Sequence, residues 1–348
     1  MHSFSLRACV LFAIAAIPAS AFAQVAPPDV LEPVSEPPNV LSAVEDRNNA
    51  LDLLDRARRN YRSASGGHPF TLKASFTATG QTAFEGDGII QESVSSDSRW
   101  RMTAKIGSAT FVRLATEGHM YGNSATEPMP LRLQLIWTAI FNPVPAFNTN
   151  SAMLRSASVT YKGGLLTCVL SSGWVATEPV TRFYQEREAC VDPETHLLRV
   201  WSQKPGIYAE YDYAGAIDFH GNIMARQITI TEAGSPTVVI RIDSLEDLTE
   251  TDEATLKATA GLMKTFPVAG TWDFPMHVPS VEGYAPNKRV IVHASIDALD
   301  GKVVEAEALQ TTDPALTRAA LEAVKAQHFT PTGMQREAFI NVMFNLPR

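Results

Sequence analysis

Residues that build metal and redox sites are scarce in this sequence. Its 348 residues include three cysteines and eight histidines, and no two histidines are spaced three or four residues apart. A metal site needs three or four ligands that the fold brings together, and no histidine stands at ligand spacing beside the two later cysteines. We therefore expect no metal ion and no other cofactor.

Catalytic and phosphate-binding motifs are also missing. The sequence has no Gly-x-Ser-x-Gly elbow, no His-Glu-x-x-His pair, no phosphate-binding loop and no dinucleotide-binding glycine pattern. The formal net charge is −8 and no block of basic residues is present, which argues against a nucleic acid partner. We nominate no catalytic residue and expect a binding protein rather than an enzyme.

A hydrophobic run long enough to span a bilayer is lacking, but a shorter one opens the chain. Arg7 precedes an apolar stretch over residues 8–17, and Ala21-Phe22-Ala23 precedes Gln24. About ten apolar residues fall short of the ~20 in a membrane-spanning helix, whereas the small-x-small pattern fits signal cleavage. We predict a signal peptide over residues 1–23 and export to the periplasm; an uncleaved inner-membrane anchor is the alternative.

Two cysteines remain after this cleavage, in a compartment where disulfides persist. Cys168 and Cys190 each lie beside a β-like segment, and the roughly twenty residues between them suit neighbouring antiparallel strands. We predict a disulfide between them. Two buried free thiols are the alternative.

The rest of the chain falls into a proline-rich segment and a long region in which apolar and polar residues alternate. Residues 24–39 contain five prolines and are predicted to be an extended tether. Apolar residues then recur at helical spacing from Val40 to Tyr61. Within residues 40–265, about ten short segments alternate apolar and polar residues, as in Phe70–Ala78, with glycine-containing turns between them. This order predicts an α+β fold with a leading helix and one large curled antiparallel sheet, half-barrel-like.

One segment inside the β-rich part is apolar on nearly every side. It lies between Pro130 and Pro143 and is predicted to be a buried helix. Two interpretations stay open: a plug that fills the concave face of the sheet as ordinary core, or a lid over a cavity for an apolar ligand. The lid residues would be Leu133, Ile136, Trp137, Ile140 and Phe141.

The end of the chain has the pattern of a second, smaller domain. Residues 266–287 hold four prolines and are interpreted as a linker. In residues 288–348, an Asp300-Gly301 turn joins two alternating segments. Asp313 and Pro314 then begin a helix, and a final alternating segment closes the chain. The predicted order is strand, strand, helix, strand.

The motifs of this small domain are more specific than its topology. They are Val292-His293-Ala294-Ser295-Ile296-Asp297, Asp300-Gly301-Lys302-Val303, Ala319-Ala320-Leu321, Ala323-Val324-Lys325 and Phe329-Thr330-Pro331. On these motifs residues 288–348 resemble the TonB C-terminal domain family. Gln327 stands where members usually carry Trp, and the upstream Tyr-Pro pair of the family is absent.

The TonB resemblance implies binding of a protein partner in the cell envelope. A small sheet with an exposed edge can accept an extended segment by strand addition. The candidate edge is the terminal strand, and an ordinary paired strand is the alternative. The candidate peptide-binding residues are Phe339, Ile340, Asn341, Val342, Met343 and Phe344.

Turn and strand motifs also mark the β-rich part. They are residues 84–88 before Arg99-Trp100-Arg101, residues 192–195 before Leu197-Leu198-Arg199, and Tyr211-Asp212-Tyr213 before residues 226–230. On these motifs the segment resembles the periplasmic lipoprotein-carrier (LolA/LppX-like) superfamily. The resemblance implies a half-barrel whose concave apolar face binds lipid under helical lids.

Together these features predict an exported accessory protein of the TonB C-terminal domain family that binds a protein partner in envelope transport. A carrier or sensor of a lipid or other apolar ligand in the β-rich domain is one alternative. A membrane-anchored TonB-type energy transducer is another, and it requires the leader to be retained. The oligomeric state stays open.

Mass spectrometry of the mature protein tests the exported, released form. We expect the first residue to be Gln24, because residues 21–23 carry the cleavage pattern. A mature chain that still begins at Met1 in the inner-membrane fraction would favour the anchored transducer instead.

Overall fold

The structure is a computed structural model, and the predicted signal peptide, with its predicted cleavage position between Ala23 and Gln24, lies outside the residues it describes. Within the described part of the chain, no helix is both long and apolar enough to cross a membrane. The described residues are 33–34, 36–61, 68–80, 84–126, 128–144, 153–173, 182–267, 272–279, 288–311 and 313–345.

The described residues form four α-helices and twenty strands. The helices are α1 (Val44–Tyr61), α2 (Leu131–Phe141), α3 (Glu250–Ala254) and α4 (Thr317–Lys325). The strands are β1 (Asn39–Val40), β2 (Phe70–Ala78), β3 (Gly86–Val94), β4 (Trp100–Ile106), β5 (Ala109–Thr116), β6 (His119–Gly122), β7 (Met153–Tyr161), β8 (Gly164–Ser172), β9 (Arg187–Val191), β10 (Leu198–Lys204), β11 (Ile207–Asp212), β12 (Ile217–Phe219), β13 (Asn222–Met224), β14 (Gln227–Glu232), β15 (Ser235–Asp247), β16 (Met263–Lys264), β17 (Trp272–Pro279), β18 (Lys288–Ile296), β19 (Val303–Thr311) and β20 (Arg336–Asn345).

Fourteen strands form one large sheet, in the order β1-β7-β8-β9-β10-β11-β14-β15-β2-β3-β4-β5-β6-β16. Every neighbouring pair in this sheet is antiparallel. The sheet is curled and open, and its end strands β1 and β16 are two residues long. The α+β prediction, with a leading helix and a large curled antiparallel sheet, is confirmed.

The main core lies between the curled sheet and its helices. Alternation in β2 buries every second side chain, and Phe70, Leu72 and Phe76 are at most 4% exposed. Ile136 and Ile140 of α2 are fully buried in the same cluster, as are residues of α1. Because a fully buried aliphatic side chain contributes ~1.5–3 kcal/mol, α2 is a large part of this core.

A second apolar cluster lies on the opposite face of β8 to β11 and contains the disulfide. Cys168 and Cys190 are bonded between neighbouring strands, as predicted. Val34 is buried in this cluster, and Asn39–Val40 pairs with β7. The predicted tether at 24–39 is therefore wrong for its described end, because an apolar side chain there packs on the sheet.

The C-terminal sheet has the strand order β17-β20-β18-β19. Helix α4 covers one face, where Ala320 and Val324 are buried against β18 and β20. The side chain of Asp313 accepts a hydrogen bond from the amide of Ala315, as the capping pattern predicts. The predicted order of strand, strand, helix and strand is therefore present from Lys288 to Asn345.

Two expectations for this domain are wrong. Residues 266–287 are not only a linker, because β17 lies within them and pairs in parallel with β20. The terminal strand is not an edge, because β20 pairs with β17 on one side and β18 on the other. Strand addition therefore has no free edge at Phe339, Ile340, Asn341, Val342, Met343 and Phe344.

Replacing both cysteines tests the role of the disulfide. The two cysteines are 22 residues apart, and closing a loop of this length stabilises a protein by about 3 kcal/mol. We expect the free energy of unfolding of the Cys168→Ala/Cys190→Ala protein, measured in urea, to fall by about 3 kcal/mol. Its circular dichroism spectrum should be unchanged. Reduction of the wild-type protein should produce the same loss. Equal midpoints for all three forms would contradict the assignment.

Candidate functional site

Both ends of helix α2 are held by polar contacts, and its amino end meets the C-terminal sheet. The amide of Leu131 donates to Glu305 Oε2 at 2.8 Å. Just before the helix, the amide of Met129 donates to Gln335 Oε1 at 2.7 Å, and Gln335 Nε2 donates back to the carbonyl of Met129 at 2.9 Å. The first amides of a helix lack intrahelical partners and carry partial positive charge, so an acidic side chain there is stabilising.

Arg132 joins three parts of the molecule. It is 1% exposed, and its guanidinium forms ion pairs with Glu232 of β14 and with Glu307 of β19, the latter at 3.3 Å. Arg132 also donates to Thr237 Oγ1 at 3.2 Å. A buried charge costs several kcal/mol unless it is paired. These contacts therefore tie α2, the large sheet and the C-terminal sheet together.

His293 extends this network inside the C-terminal sheet. It is fully buried, with Nδ1 at 3.2 Å from Glu307 Oε1 and Nε2 at 2.7 Å from Glu337 Oε1, and its ring stacks on Phe339. Burial alone lowers the pKa of His293, but the hydrogen bonds to the two carboxylates outweigh it and raise the pKa to about 9. At neutral pH the imidazolium donates to both carboxylates.

Glu232, His293 and Glu307 also have donor atoms within 4.8 Å of one another, close enough for one metal ion to bridge. Arg132 already lies against Glu232 and Glu307, and His293 lies against Glu307 and Glu337. Two buried cationic groups thus face three carboxylates, and their charges nearly balance. We assign an ion-pair network to this cluster rather than a metal centre.

The turn between β10 and β11 packs closely against the same sheet. Gly206 has a φ of 86°, and a Cβ at this position would lie 2.4 Å from the carbonyl oxygen of Leu309. Lys204 is 1% exposed, with Nζ 5.9 Å from the centre of the Phe339 ring. The face of the C-terminal sheet opposite α4 is therefore buried against the body of the protein.

The carboxyl end of α2 is held by two tyrosines. The carbonyl of Ala139 accepts from the hydroxyl of Tyr61 at 3.4 Å and from that of Tyr211 at 3.1 Å. Burial raises the pKa of both phenols well above the usual value, so both stay protonated donors. Carbonyl groups in the last turn of a helix lack donors within the helix. The two tyrosine hydroxyls supply the carbonyl of Ala139 with two hydrogen-bond donors.

Three half-buried aromatic residues form a rim beside this end of the helix. Trp100 of β4 lies 6.4 Å from Trp137 between ring centres, and Trp137 lies 6.0 Å from Phe141. The indole of Trp137 donates to Glu92 Oε2 at 2.7 Å. Burial raises the pKa of Glu92 to about 8, against the smaller lowering by this hydrogen bond. At neutral pH Glu92 is therefore an uncharged carboxylic acid in an apolar setting.

The predicted lid residues divide into two groups. Leu133, Ile136 and Ile140 are fully buried, whereas Trp137 and Phe141 are half-buried at the aromatic rim. A cavity of about 20 Å³ lies under the helix, which is room for about one water molecule. It is lined by Leu135, Thr138, Ala139, Trp201, Gln203, Ile207, Ala209 and Ile230. In this conformation α2 fills the site, so a ligand beneath it requires the helix to move.

Comparison with solved structures finds similarity over about 60% of this chain. The LolA superfamily protein NE2245 from Nitrosomonas europaea is 13% identical, over 60% of this chain and 97% of its own, with a TM-score of 0.40. A DUF1329 family protein from Desulfovibrio piger ATCC 29098 is 8% identical, over 60% and 96%, with a TM-score of 0.40. A putative outer membrane lipoprotein-sorting protein domain from Vibrio parahaemolyticus is 12% identical, over 59% and 98%, with a TM-score of 0.32.

Similarity of this size does not decide the fold or the function of the chain. No protein-family model matches the sequence, and no curated protein matches it. The TonB resemblance stays a prediction from sequence motifs.

The ion-pair network was not foreseen from the sequence, because its members are far apart in the chain. Arg132 is the charged residue of a mostly apolar segment, and this contrast is the signal in the sequence that could have marked it. His293 faces Glu307 across the β18–β19 ladder. Apolar and polar residues alternate along β18, which is typical of a strand with one solvent-exposed face. In the structure the residues from Val290 to Ile296 are buried on both faces.

Substituting Arg132 tests whether this network joins the parts of the molecule. Arg132→Met leaves buried carboxylates without their cation, and we expect a loss of about 3–5 kcal/mol in the free energy of unfolding, measured in urea. Adding Glu232→Gln should recover part of the loss. Arg318→Met is the matched control, because that side chain is 90% exposed. A loss below ~1 kcal/mol for Arg132→Met would contradict the assigned role.

Proposed function

We propose that this protein is a non-catalytic binding protein of the bacterial envelope that takes an apolar ligand on the curled face of its large sheet, with α2 as a movable cover. One observation carries the proposal. The middle of α2 is apolar and covers part of the curled face of the sheet, and the polar contacts of this helix lie mainly towards its two ends. The segment that the sequence analysis interprets as a possible lid is this same helix.

The aromatic rim supports an entry point beside the carboxyl end of α2. Trp100, Trp137 and Phe141 present partly exposed apolar surface next to the core. Glu92 is buried there, burial raises its pKa, and its hydrogen-bond partner is the indole of Trp137. Perturbed carboxyl groups in apolar surroundings are enriched at functional sites. A neutral acid can donate a hydrogen bond to a polar head group.

The C-terminal sheet acts in this proposal as a clamp on α2. Its side chains bind the first turn of the helix and pair with Arg132. Capture of an extended segment by residues 339–344 is not proposed, because both edges of β20 are paired. The predicted signal peptide and the disulfide agree with function outside the cytoplasm.

Titration with the fluorescent fatty acid cis-parinaric acid tests the proposal. We expect Trp137→Leu to weaken binding tenfold or more, because the ring forms part of the rim and holds Glu92. Val239→Ala is the control, since Val239 is 41% exposed outside the core cluster. The wild type should bind less tightly as pH rises past about 8, where Glu92 ionises, whereas Glu92→Gln should show no such change.

Two results together would overturn this function. One is the absence of saturable binding of the fatty acid by the wild-type protein. The other is an organic extract of the purified protein that contains no lipid.

A further inference from the structure

An unpaired stretch of β7 lies at the far end of the large sheet from β16. β1 pairs with β7 only at Asn39–Ser156 and Val40–Arg155, and the amide of Leu41 donates to the carbonyl of Leu154. On its other side β7 pairs with β8 along its whole length. Among the described residues, no strand pairs with residues 157–161 on the β1 side.

Proline ends the β1–β7 ladder at this point. In the established register, residue 37 would stand opposite Ser158, and residue 37 is a proline. Pro37 has no amide hydrogen to donate, and neither does Pro38. The ladder therefore ends at Asn39.

The direction of the backbone groups follows from the same register. The carbonyl of Leu154 points towards the β1 side, and backbone groups of alternate residues in a strand point to the same side. Ser158 and Thr160 therefore direct both their amides and their carbonyls away from β8. Both residues are exposed. They offer two donors and two acceptors to an incoming strand.

A groove lies along these groups. Its volume is about 400 Å³, within the ~300–1,000 Å³ of ligand-binding clefts. One wall is formed by Pro33, Val34 and residues 36–39, and the other is β7 from Ser156 to Thr160. Val34 and Val159 belong to the apolar cluster beneath, so alternate side chains of an inserted strand would meet apolar and polar surroundings.

We infer that this groove, the β7 groove, binds an extended segment of a partner polypeptide by strand addition to residues 157–161. Backbone donors and acceptors in one line, paired with no strand in the described part of the chain, select an extended segment. Glu36 is the charged residue in the lining, and the protein carries a net charge of −8. The segment is therefore neutral or basic. This inference is independent of the apolar ligand under α2.

Hydrogen exchange and NMR test the β7 groove in the full-length mature protein. The probe is a seven-residue peptide of alternating valine and threonine with a lysine at each end. In the free protein the amides of Ser158 and Thr160 should exchange quickly, and that of Val159 slowly. Adding the peptide should shift the signals of Ser158 and Thr160 and slow their exchange at least tenfold.

Variants separate backbone pairing from side-chain contacts. Ser158→Pro removes one donor on the open side, where proline is tolerated in a strand, and should weaken peptide binding at least tenfold. Ser158→Ala is the matched control, because it keeps the amide, and binding should stay within twofold. A peptide methylated on alternate backbone nitrogens should not bind, and glutamates in place of the lysines should weaken binding.

Three results would overturn the inference. The first is slow exchange of Ser158 and Thr160 in the free protein at all concentrations, which would mean that the chain itself covers the edge. The second is protection that grows with protein concentration together with dimer formation, which would make a second copy the occupant. The third is a peptide response confined to other strands, or none.

Discussion

The buried ion pairs of Arg132 hold helix α2 against both sheets. A guanidinium that is 1% exposed must keep its carboxylates, because a charge left alone in the interior costs several kcal/mol. One partner, Glu232, belongs to the large sheet and the other, Glu307, belongs to the C-terminal sheet. Helix α2 therefore cannot leave its place without breaking contacts to both sheets. His293 reinforces this arrangement, because its positive charge holds Glu307 and Glu337 in position.

This constraint shapes what the protein can bind. The curled sheet needs something to cover its apolar face, and α2 supplies the cover with an almost wholly apolar surface between two polar ends. Apolar contacts are not directional, so a ligand of similar apolar area can replace them with little loss. The hydrogen bonds at the two ends of α2 are directional, unlike its apolar contacts. They fix the position that the helix takes again when the ligand leaves. The C-terminal sheet, with one face buried against the body, serves as a clamp in this account rather than as a free binding module.

Local sequence patterns predicted many of the helices and strands. They did not predict which distant segments pair with one another. Period-2 alternation found β2, and the Asp313-Pro314 start found the helix before the last strand, because each signal lies within a few residues. The prolines of residues 266–287 indicate a linker, but Pro275 and Pro279 lie in β17, which is an edge strand and therefore tolerates proline. Its parallel pairing with β20 joins segments with no common local signal. Arg132 and Glu307 illustrate the same limit, since their pairing is set by tertiary packing.

We propose that α2 is a cover that moves when an apolar ligand binds, and hydrogen exchange along the helix measures this movement directly. The amides of residues 131–141 would be followed with and without saturating cis-parinaric acid, with the amides of β2 as the internal reference. The account predicts faster exchange in α2 when the ligand is bound and unchanged exchange in β2. Equal protection of α2 with and without bound ligand would contradict it, and α2 would then be a permanent part of the core.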